Sequence, residues 1–474
     1  MKRQFLDGGF LLLFLALAVV GGYAILAPAT LLAAADPRPD TPVIATLAPT
    51  PPGVVHAAAE AEPQREPDAG PDSIRGLVRD GERRPIPFAS LVAGGVEREA
   101  DAQGAFRLEG VPVGAPILVK MPGYEKAVVT ATREPLDVVL KPQVIKAAYL
   151  SYFGVGDPAI RGRVLELAAH TELNAVVIDV KGDRGWILWP TDVELARAAG
   201  AQGSGTLRDF DALMRDLKAR GIYTIARVVT FKDNVLANHR PDLAVIDART
   251  RRPWVDNERL AWVDPFREEV WDYNIAIARE AVARGFDEVQ FDYVRFPTDG
   301  RLSAARYSKV NSRETRLPAI AGFLERARRE LGATGAFVAA DVFGYTAFNE
   351  NDTDIGQRVE ELAPHVDVVS PMVYPSGYHR GIPGYRNPMD HPYKIVFESV
   401  RLIKKRAAGT RAVVRPWLQD FRDYAFDRRV FGVSELRAQT KGAGDAGGIG
   451  WMLWNPRNDY TGAALQPKGS VAAK

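Results

Sequence analysis

The chain has 474 residues, enough for more than one domain of about 100–200 residues each. Its formal net charge is only +2, with both signs interspersed and no basic stripe, which argues against a nucleic-acid partner. Cysteine is absent, so disulfides, thiolate metal sites and a cysteine nucleophile are excluded, and the composition is compatible with export.

At the N-terminus, Lys2 and Arg3 precede an apolar run over residues 10–35. A run above about 18 apolar residues can span a bilayer with its basic flank on the cytoplasmic side. Ala33, Ala34 and Ala35 also offer a small-residue cleavage site, although the run exceeds the roughly 7–15 residues of an ordinary signal core. Residues 1–35 are therefore expected to form a signal anchor or, as the second choice, a cleaved signal peptide. Either places the rest outside the cytoplasm, held to the membrane at the periplasm or cell envelope, or secreted. Residues 36–72 are rich in Pro and Ala and lack periodicity. Such a stretch buries too little apolar surface to offset its ordering entropy, so it is expected to be a disordered tether.

Residues 73–142 carry short alternating runs at 74–78, 88–92, 105–108, 117–120, 127–130 and 136–140, separated by Gly, Pro and Asp turns. That spacing predicts a small all-β sandwich. Gly76-Leu77-Val78, Pro87-Phe88-Ala89, Asp101 to Phe106 and Pro122-Gly123-Tyr124 resemble the regulatory-like sandwich domain of carboxypeptidases. The resemblance implies a spacer or binding module, not a catalyst.

Over residues 144–465 strand-like runs alternate with amphipathic helical patterns. Strands are expected at 146–153, 175–180, 223–229, 288–293, 337–343, 366–373, 412–417 and 449–454, with helices at 160–171, 210–220, 268–284, 317–331 and 392–407 between them. Repeated strand–helix units of this number predict an α/β fold, a (β/α)8 TIM barrel with insertions. The longest insertion, 231–265, follows the third strand and should overhang the strand C-termini. A doubly wound open sheet is the alternative, but no dinucleotide fingerprint follows the first strand.

Polar and aromatic residues recur where the strands end, the position that carries active sites in barrels. Asp179 with Lys181 ends the second strand, Arg227 lies late in the third, and Asp292 and Arg295 end the fourth. Asp341 falls late in the fifth, Tyr374 follows the sixth, Trp417 ends the seventh, and Trp451 and Trp454 lie on the eighth. Two carboxyl groups in one cavity can divide labour, one protonating a leaving oxygen while the other attacks or activates water. Aromatic rings on the same rim can stack on the C–H faces of sugars. No Gly-Lys-Ser/Thr loop or cationic cluster is present to hold a phosphoryl group. Asp292, Asp341 and Asp179 are thus the candidate catalytic acids, and Lys181, Arg227, Arg295, Tyr374, Trp417, Trp451 and Trp454 the candidate substrate-binding residues.

Each has an ordinary structural alternative. Asp292 could cap a helix or pair with Arg295, Asp179 could pair with Lys181, and the tryptophans could pack in the core. Asp341 is sharper, because an acid inside an apolar strand is expensive to bury unless paired or functional. Three other patterns are set aside. The run 442–447 fits a dinucleotide motif letter for letter but precedes a strand, so it reads as a helix-to-strand loop. Asp352-Thr353-Asp354 lacks the bidentate acid of a calcium loop and reads as a solvated loop. The histidines, His379 and His391 among them, have no metal-ligand spacing and read as surface or capping residues, so no metal or cofactor is expected.

With these residues assembled, the region 144–462 resembles a bacterial family of putative glycoside hydrolases with a TIM-barrel domain. The resemblance rests on Val177 to Asp183, Phe291 to Pro297, Asp341 to Gly344, Ser370 to Ser376 and Gly450 to Asn455. Asp287 to Val294, Met372 to Tyr374 and Trp454 are also similar to strand motifs of family 18 chitinases, but the glutamate acid of that family falls at Val294. Substrate-assisted chitinase chemistry is therefore not expected. The acid-rich strand ends together with the export signal point to hydrolysis of an envelope or extracellular polysaccharide, with Asp292 as nucleophile or base and Asp341 as acid. A catalytically inactive carbohydrate-binding scaffold, or a barrel hydrolase of another envelope polymer, are the competing readings.

Overall fold

The computed structural model describes residues 73–203 and 205–470. The expected anchor and tether, residues 1–72, lie outside them. Among the described residues no helix is long and apolar enough to cross a membrane.

Seven strands come first: β1 (Ser73–Asp80), β2 (Ser90–Ala93), β3 (Val96–Glu99), β4 (Ala105–Glu109), β5 (Pro116–Lys120), β6 (Ala127–Thr130) and β7 (Leu136–Leu140). They form two sheets, β4-β1-β7 and β3-β2-β5-β6. Ile74, Val78, Leu91, Phe106, Ile117, Val119, Val138 and Leu140 fill the space between the sheets. Strand β3 was not expected, because Glu97-Arg98-Glu99 shows no apolar alternation. It is ordered as the partner of β2, with Leu91 opposite Arg98.

The remaining strands, in chain order, are β8 (Ile145–Leu150), β9 (Ala175–Lys181), β10 (Tyr223–Val229), β11 (Ile246–Asp247), β12 (Glu288–Asp292), β13 (Ala305–Arg306), β14 (Phe337–Phe343), β15 (Val368–Met372), β16 (Val413–Val414), β17 (Trp417–Gln419) and β18 (Gly450–Trp454). All except β11 and β13 belong to one parallel sheet that closes on itself, since β14 pairs β15 and β18 pairs β8. With β16 and β17 sharing one stave, this is the closed eight-stranded barrel of a TIM fold, with helices packed around it. The seventh stave is two short strands because Arg415-Pro416 falls between them and proline donates no ladder hydrogen bond. The seam at β18–β8 requires glycine: a Cβ on Gly450, at φ +83°, would lie 1.8 Å from the Ile145 carbonyl oxygen.

Side chains alternate between the barrel interior and the helix layer, as strand geometry demands. Ile145, Ala147, Tyr149, Ala175, Val177, Ile225, Trp417 and Met452 pack inside. Ala148, Leu150, Val176, Ile178, Val228, Phe291, Val342, Trp451 and Leu453 face the helices. Parity therefore turns Asp179, Arg227, Asp292 and Asp341 inward. Deeper in the barrel, Glu288 pairs with Arg415 and accepts a 3.0 Å hydrogen bond from the Tyr223 hydroxyl.

The sandwich packs against the N-terminal end of the barrel. Lys120 Nζ donates to the carbonyls of Gly332 (3.0 Å) and Ala336 (2.7 Å), and Lys126 Nζ to that of Asp287 (3.0 Å). Arg411 reaches back to Ser90 and to the Phe88 carbonyl. Ala336, Asp287 and Arg411 fall just before β14, β12 and β16, so this contact lies at the end opposite the strand C-termini. The insertion after β10 lies at those C-termini, as expected, with β11 pairing antiparallel to β13 in the loop after β12. Lys232 fastens the insertion through ion pairs to Asp256 (3.0 Å) and Glu258 (2.6 Å).

Candidate active site

Three carboxyl groups and one guanidinium meet inside the C-terminal end of the barrel. Arg227 spends its Nε and Nη2 donors on Asp292 Oδ2, the first at 2.9 Å, and its Nη1 on Asp179 Oδ1. The Tyr149 hydroxyl donates to the other oxygen of Asp179. The second oxygen of Asp292 accepts the Tyr293 backbone N–H at 2.6 Å. That bond accompanies a left-handed backbone at Tyr293, φ +49°, a conformation that costs a bulky residue about 1–3 kcal/mol and concentrates at functional sites. Asp341 Oδ1 accepts Trp417 Nε1 at 2.8 Å. Its Oδ2 is buried with no donor, and the carboxyl group neighbours Asp292.

Electrostatics separates the acids. Burial, and then the negative charge of Asp292, push the Asp341 carboxyl well above the ordinary carboxylate range. Burial also raises Asp179, against the opposing pull of Arg227 and of the Tyr149 hydrogen bond. A second carboxyl group beside Asp341 disfavours its ionisation further, in the same direction as its burial. Asp292 and Asp341 are both buried, Asp292 at 5% exposure and Asp341 at 1%.

The accessible wall of this mouth is aromatic. Trp454 is half-buried, stacks on Tyr149 with centroids 4.0 Å apart, and lies 5.0 Å from the Arg227 guanidinium. Tyr374 is half-buried beside Asp341 and Asp292, and its phenol is raised well above its usual value by burial first and those two charges next. Further out on the rim, Phe153 is 56% exposed and meets Trp186 edge to face.

Of the expected site residues, Asp179, Arg227, Asp292, Asp341, Tyr374, Trp417 and Trp454 come together at the mouth. Three expected binding residues do not present themselves to a ligand there. Lys181 is fully buried on the outer face of the barrel, paired with Asp233 at 2.8 Å and bonded to Asn274 at 2.9 Å. A bulge causes this: Arg227 is opposite Asp179 but Val228 is opposite Lys181, so the extra residue, Val180, reverses the parity. Trp451 packs outward against the helices, one position out of phase with Trp454. Arg295 is 6% exposed, stacked among Trp262, Tyr293 and Phe343, with its Nη1 on the Phe296 carbonyl. This stacking replaces the pairing with Asp292 considered from sequence. Arg227, expected to bind substrate, has its donors committed to the two aspartates.

Sequence reasoning missed Tyr149, Phe153 and Trp186. Tyr149 was detectable, since it continues the inward alternation of Ile145 and Ala147 by one step. Among the patterns set aside, 442–447 runs through the end of the helix Val433–Asp445 toward β18. Asp352 is not solvated as expected but buried, because Arg316 holds it at 2.7 Å. Among the described residues no group of three or more His, Asp or Glu is arranged to hold a metal ion, His379 and His391 included.

Residues 147–460 match the model of a family described as "putative glycosyl hydrolase domain". Among solved structures, a hypothetical protein from Ruminiclostridium thermocellum is 35% identical, over 41% of this chain and 97% of its own, with a TM-score of 0.36. The glycoside hydrolase domain of PgaB (BpsB) from Bordetella bronchiseptica is 15% identical, over 67% of this chain and 95% of its own, with a TM-score of 0.48. An α-galactosidase from Thermus thermophilus is 16% identical, over 77% of this chain and 72% of its own, with a TM-score of 0.41. With TM-scores below 0.5, these likenesses add nothing to the chemistry of the mouth. No curated protein matches the chain.

Proposed function

Because the chain belongs to the putative glycosyl hydrolase domain family, we propose that it hydrolyses glycosidic bonds of an envelope or extracellular polysaccharide. The observation that carries the reading is the carboxyl pair at the strand C-termini, with Asp292 ion-paired to Arg227 and Asp341 buried beside it with a donor-free oxygen. Asp341 gives its proton to the leaving glycosidic oxygen as the C–O bond breaks. Asp292 attacks the anomeric carbon or takes a proton from the attacking water. Water supplies the hydroxyl and the returning proton, so the site is restored. Trp454 and Tyr374 offer ring faces to the sugar, and Trp417 holds the acid from behind. Retaining pairs stand about 5–5.5 Å apart and inverting pairs about 6.5–9.5 Å, so the separation of the two carboxyl groups with sugar bound decides the stereochemistry.

Lys2, Arg3 and the apolar run after them support export with a membrane anchor, or secretion if the run is cleaved. Docked away from the mouth, the sandwich suits a carboxypeptidase regulatory-like spacer better than a substrate guide.

The test is release of new reducing ends from a panel of bacterial polysaccharides. Asp292→Asn and Asp341→Asn are each expected to lower turnover by roughly 10²–10⁴-fold while the fold is kept. Full activity in both variants would overturn the assignment. The second reading, an inactive carbohydrate-binding barrel, is favoured by the commitment of Asp179 and Asp292 to Arg227 and by the 1% exposure of Asp341. Glycan binding without any reducing ends would select it.

A further inference from the structure

We propose that Arg227 is the positioning residue that decides which carboxyl group of the mouth carries the proton, by occupying Asp292 and Asp179 from one guanidinium and leaving Asp341 to hold it. The inference rests on the glycosidase reading only for its consequence, that Asp341 is the acid. The assignment of the proton itself follows from a count of donors.

Asp292 receives donors on both oxygens, two from Arg227 and one from the Tyr293 backbone. Asp179 also receives donors on both, one from Arg227 and one from Tyr149. Asp341 receives one, from Trp417, and its second oxygen has none. A proton on Asp292 or Asp179 would compete for an oxygen that already accepts a donor. On Asp341 Oδ2 it displaces nothing and becomes the missing donor, directed at Asp292. The other titratable or charged groups around this pair are Tyr149 from β8, Asp179 from β9, Arg227 from β10, Tyr293 and Arg295 after β12, and Tyr374 after β15. Arg295 acts on Asp292 through its field alone, its Nη1 being turned to the Phe296 carbonyl. Among the described residues, Arg227 is the cation bonded to the carboxyl groups of the mouth.

Arg227 is itself held on an aromatic seat. Its guanidinium lies 5.0 Å from the Trp454 ring centroid and 5.7 Å from that of Tyr149, and Tyr149 both stacks on Trp454 and donates to Asp179. Rotation of the guanidinium would disturb all of these contacts together. Every carboxylate that Arg227 holds belongs to this chain.

Carbon NMR of Cγ-labelled aspartate in the folded protein tests this without a substrate, with signals assigned from Asp292→Asn and Asp341→Asn. In the wild type, the last carboxyl proton to leave on raising the pH should move the Asp341 signal and leave that of Asp292 in place. In Arg227→Gln both signals should move together in that step, because the proton is then shared. Arg227→Lys, which keeps the charge but not the fork that occupies both carboxyl groups, should bring the two signals part of the way together, and an unchanged order in it overturns the proposal. Joint movement in the wild type, or an unchanged order in a folded Arg227→Gln, overturns the proposal. If Arg227→Gln does not fold, the wild-type titration and Arg227→Lys still decide it. Preserved order in a protein that cleaves no polysaccharide would overturn the glycosidase reading and leave this one standing.

Discussion

At the scale of single residues, Asp341 makes a claim on stability as well as on chemistry. Burial, reinforced by Asp292, holds its folded pKa well above the ordinary carboxylate range. As pH rises above about 3.9, the unfolded chain releases this proton while the folded chain keeps it, so stability is lost across that window. Asp341→Asn cannot titrate, and its amide can donate to Asp292 in place of the lost proton. The variant's stability is expected to gain on that of the wild type as pH rises from about 4, by up to about 1.4 kcal/mol per pH unit until Asp341 ionises in the fold, read from paired denaturation curves. Parallel pH dependences would show that Asp341 is ionised in the fold. The acids of the mouth were legible in the sequence because each interrupts an apolar strand, a placement that only pairing or function makes tolerable. Alternation along β18 was legible too, and it sends Trp451, three positions before Trp454, to the opposite face with Leu453. Tyr149 was harder to read, because a tyrosine in a strand looks like ordinary packing until its hydroxyl is seen on Asp179.

At the scale of elements, β9 shows where sequence periodicity stops being enough. Its run Ala175–Lys181 is buried throughout, and alternation from Asp179 would send Lys181 into the barrel. The bulge at Val180 depends on the pairing with β10, which the run itself does not encode. The long apolar runs of the barrel were readable for the opposite reason: buried on both faces, they stand out without any knowledge of their neighbours. The charged strand β3 was not, since its order comes from β2 and from cations across the sandwich–barrel contact. Lys181 gives this a test. Replacing it with Met leaves Asp233 buried without its cation, which should cost roughly 3–5 kcal/mol in chemical denaturation. A variant of unchanged stability that has lost only ligand binding would place Lys181 in the mouth after all.

At the scale of the whole molecule, the sandwich and the barrel are joined through buried charge. Glu97 of the sandwich is gripped by Arg328 of the barrel's helix layer, with its Oε1 2.7 Å from Nη2, and it lies 3.4 Å from Lys120. Burial opposes the charge of Glu97, but the Arg328 hydrogen bonds and the charge of Lys120 outweigh it and bring its pKa down to about 2. Burial meanwhile pushes Lys120 down to about 8, against the pull of Asp367 and Glu97, so Lys120 still carries its charge in acid. A carboxyl group with a depressed folded pKa contributes stability above its unfolded value of 4.5 and loses it as pH falls toward about 2. That contribution is on the order of 3 kcal/mol. The wild type should therefore lose melting temperature between pH 4.5 and 2 more steeply than Glu97→Gln, in which the contact is already weakened. Equal slopes would mean that Glu97 contributes nothing in the folded state and that the contact is held by Lys120, Lys126 and Arg411 instead. The contact bears on function, because a sandwich fixed at the N-terminal end of the strands carries the mouth at the far end of a stiff body. A tethered one would let the barrel turn freely against its polymer.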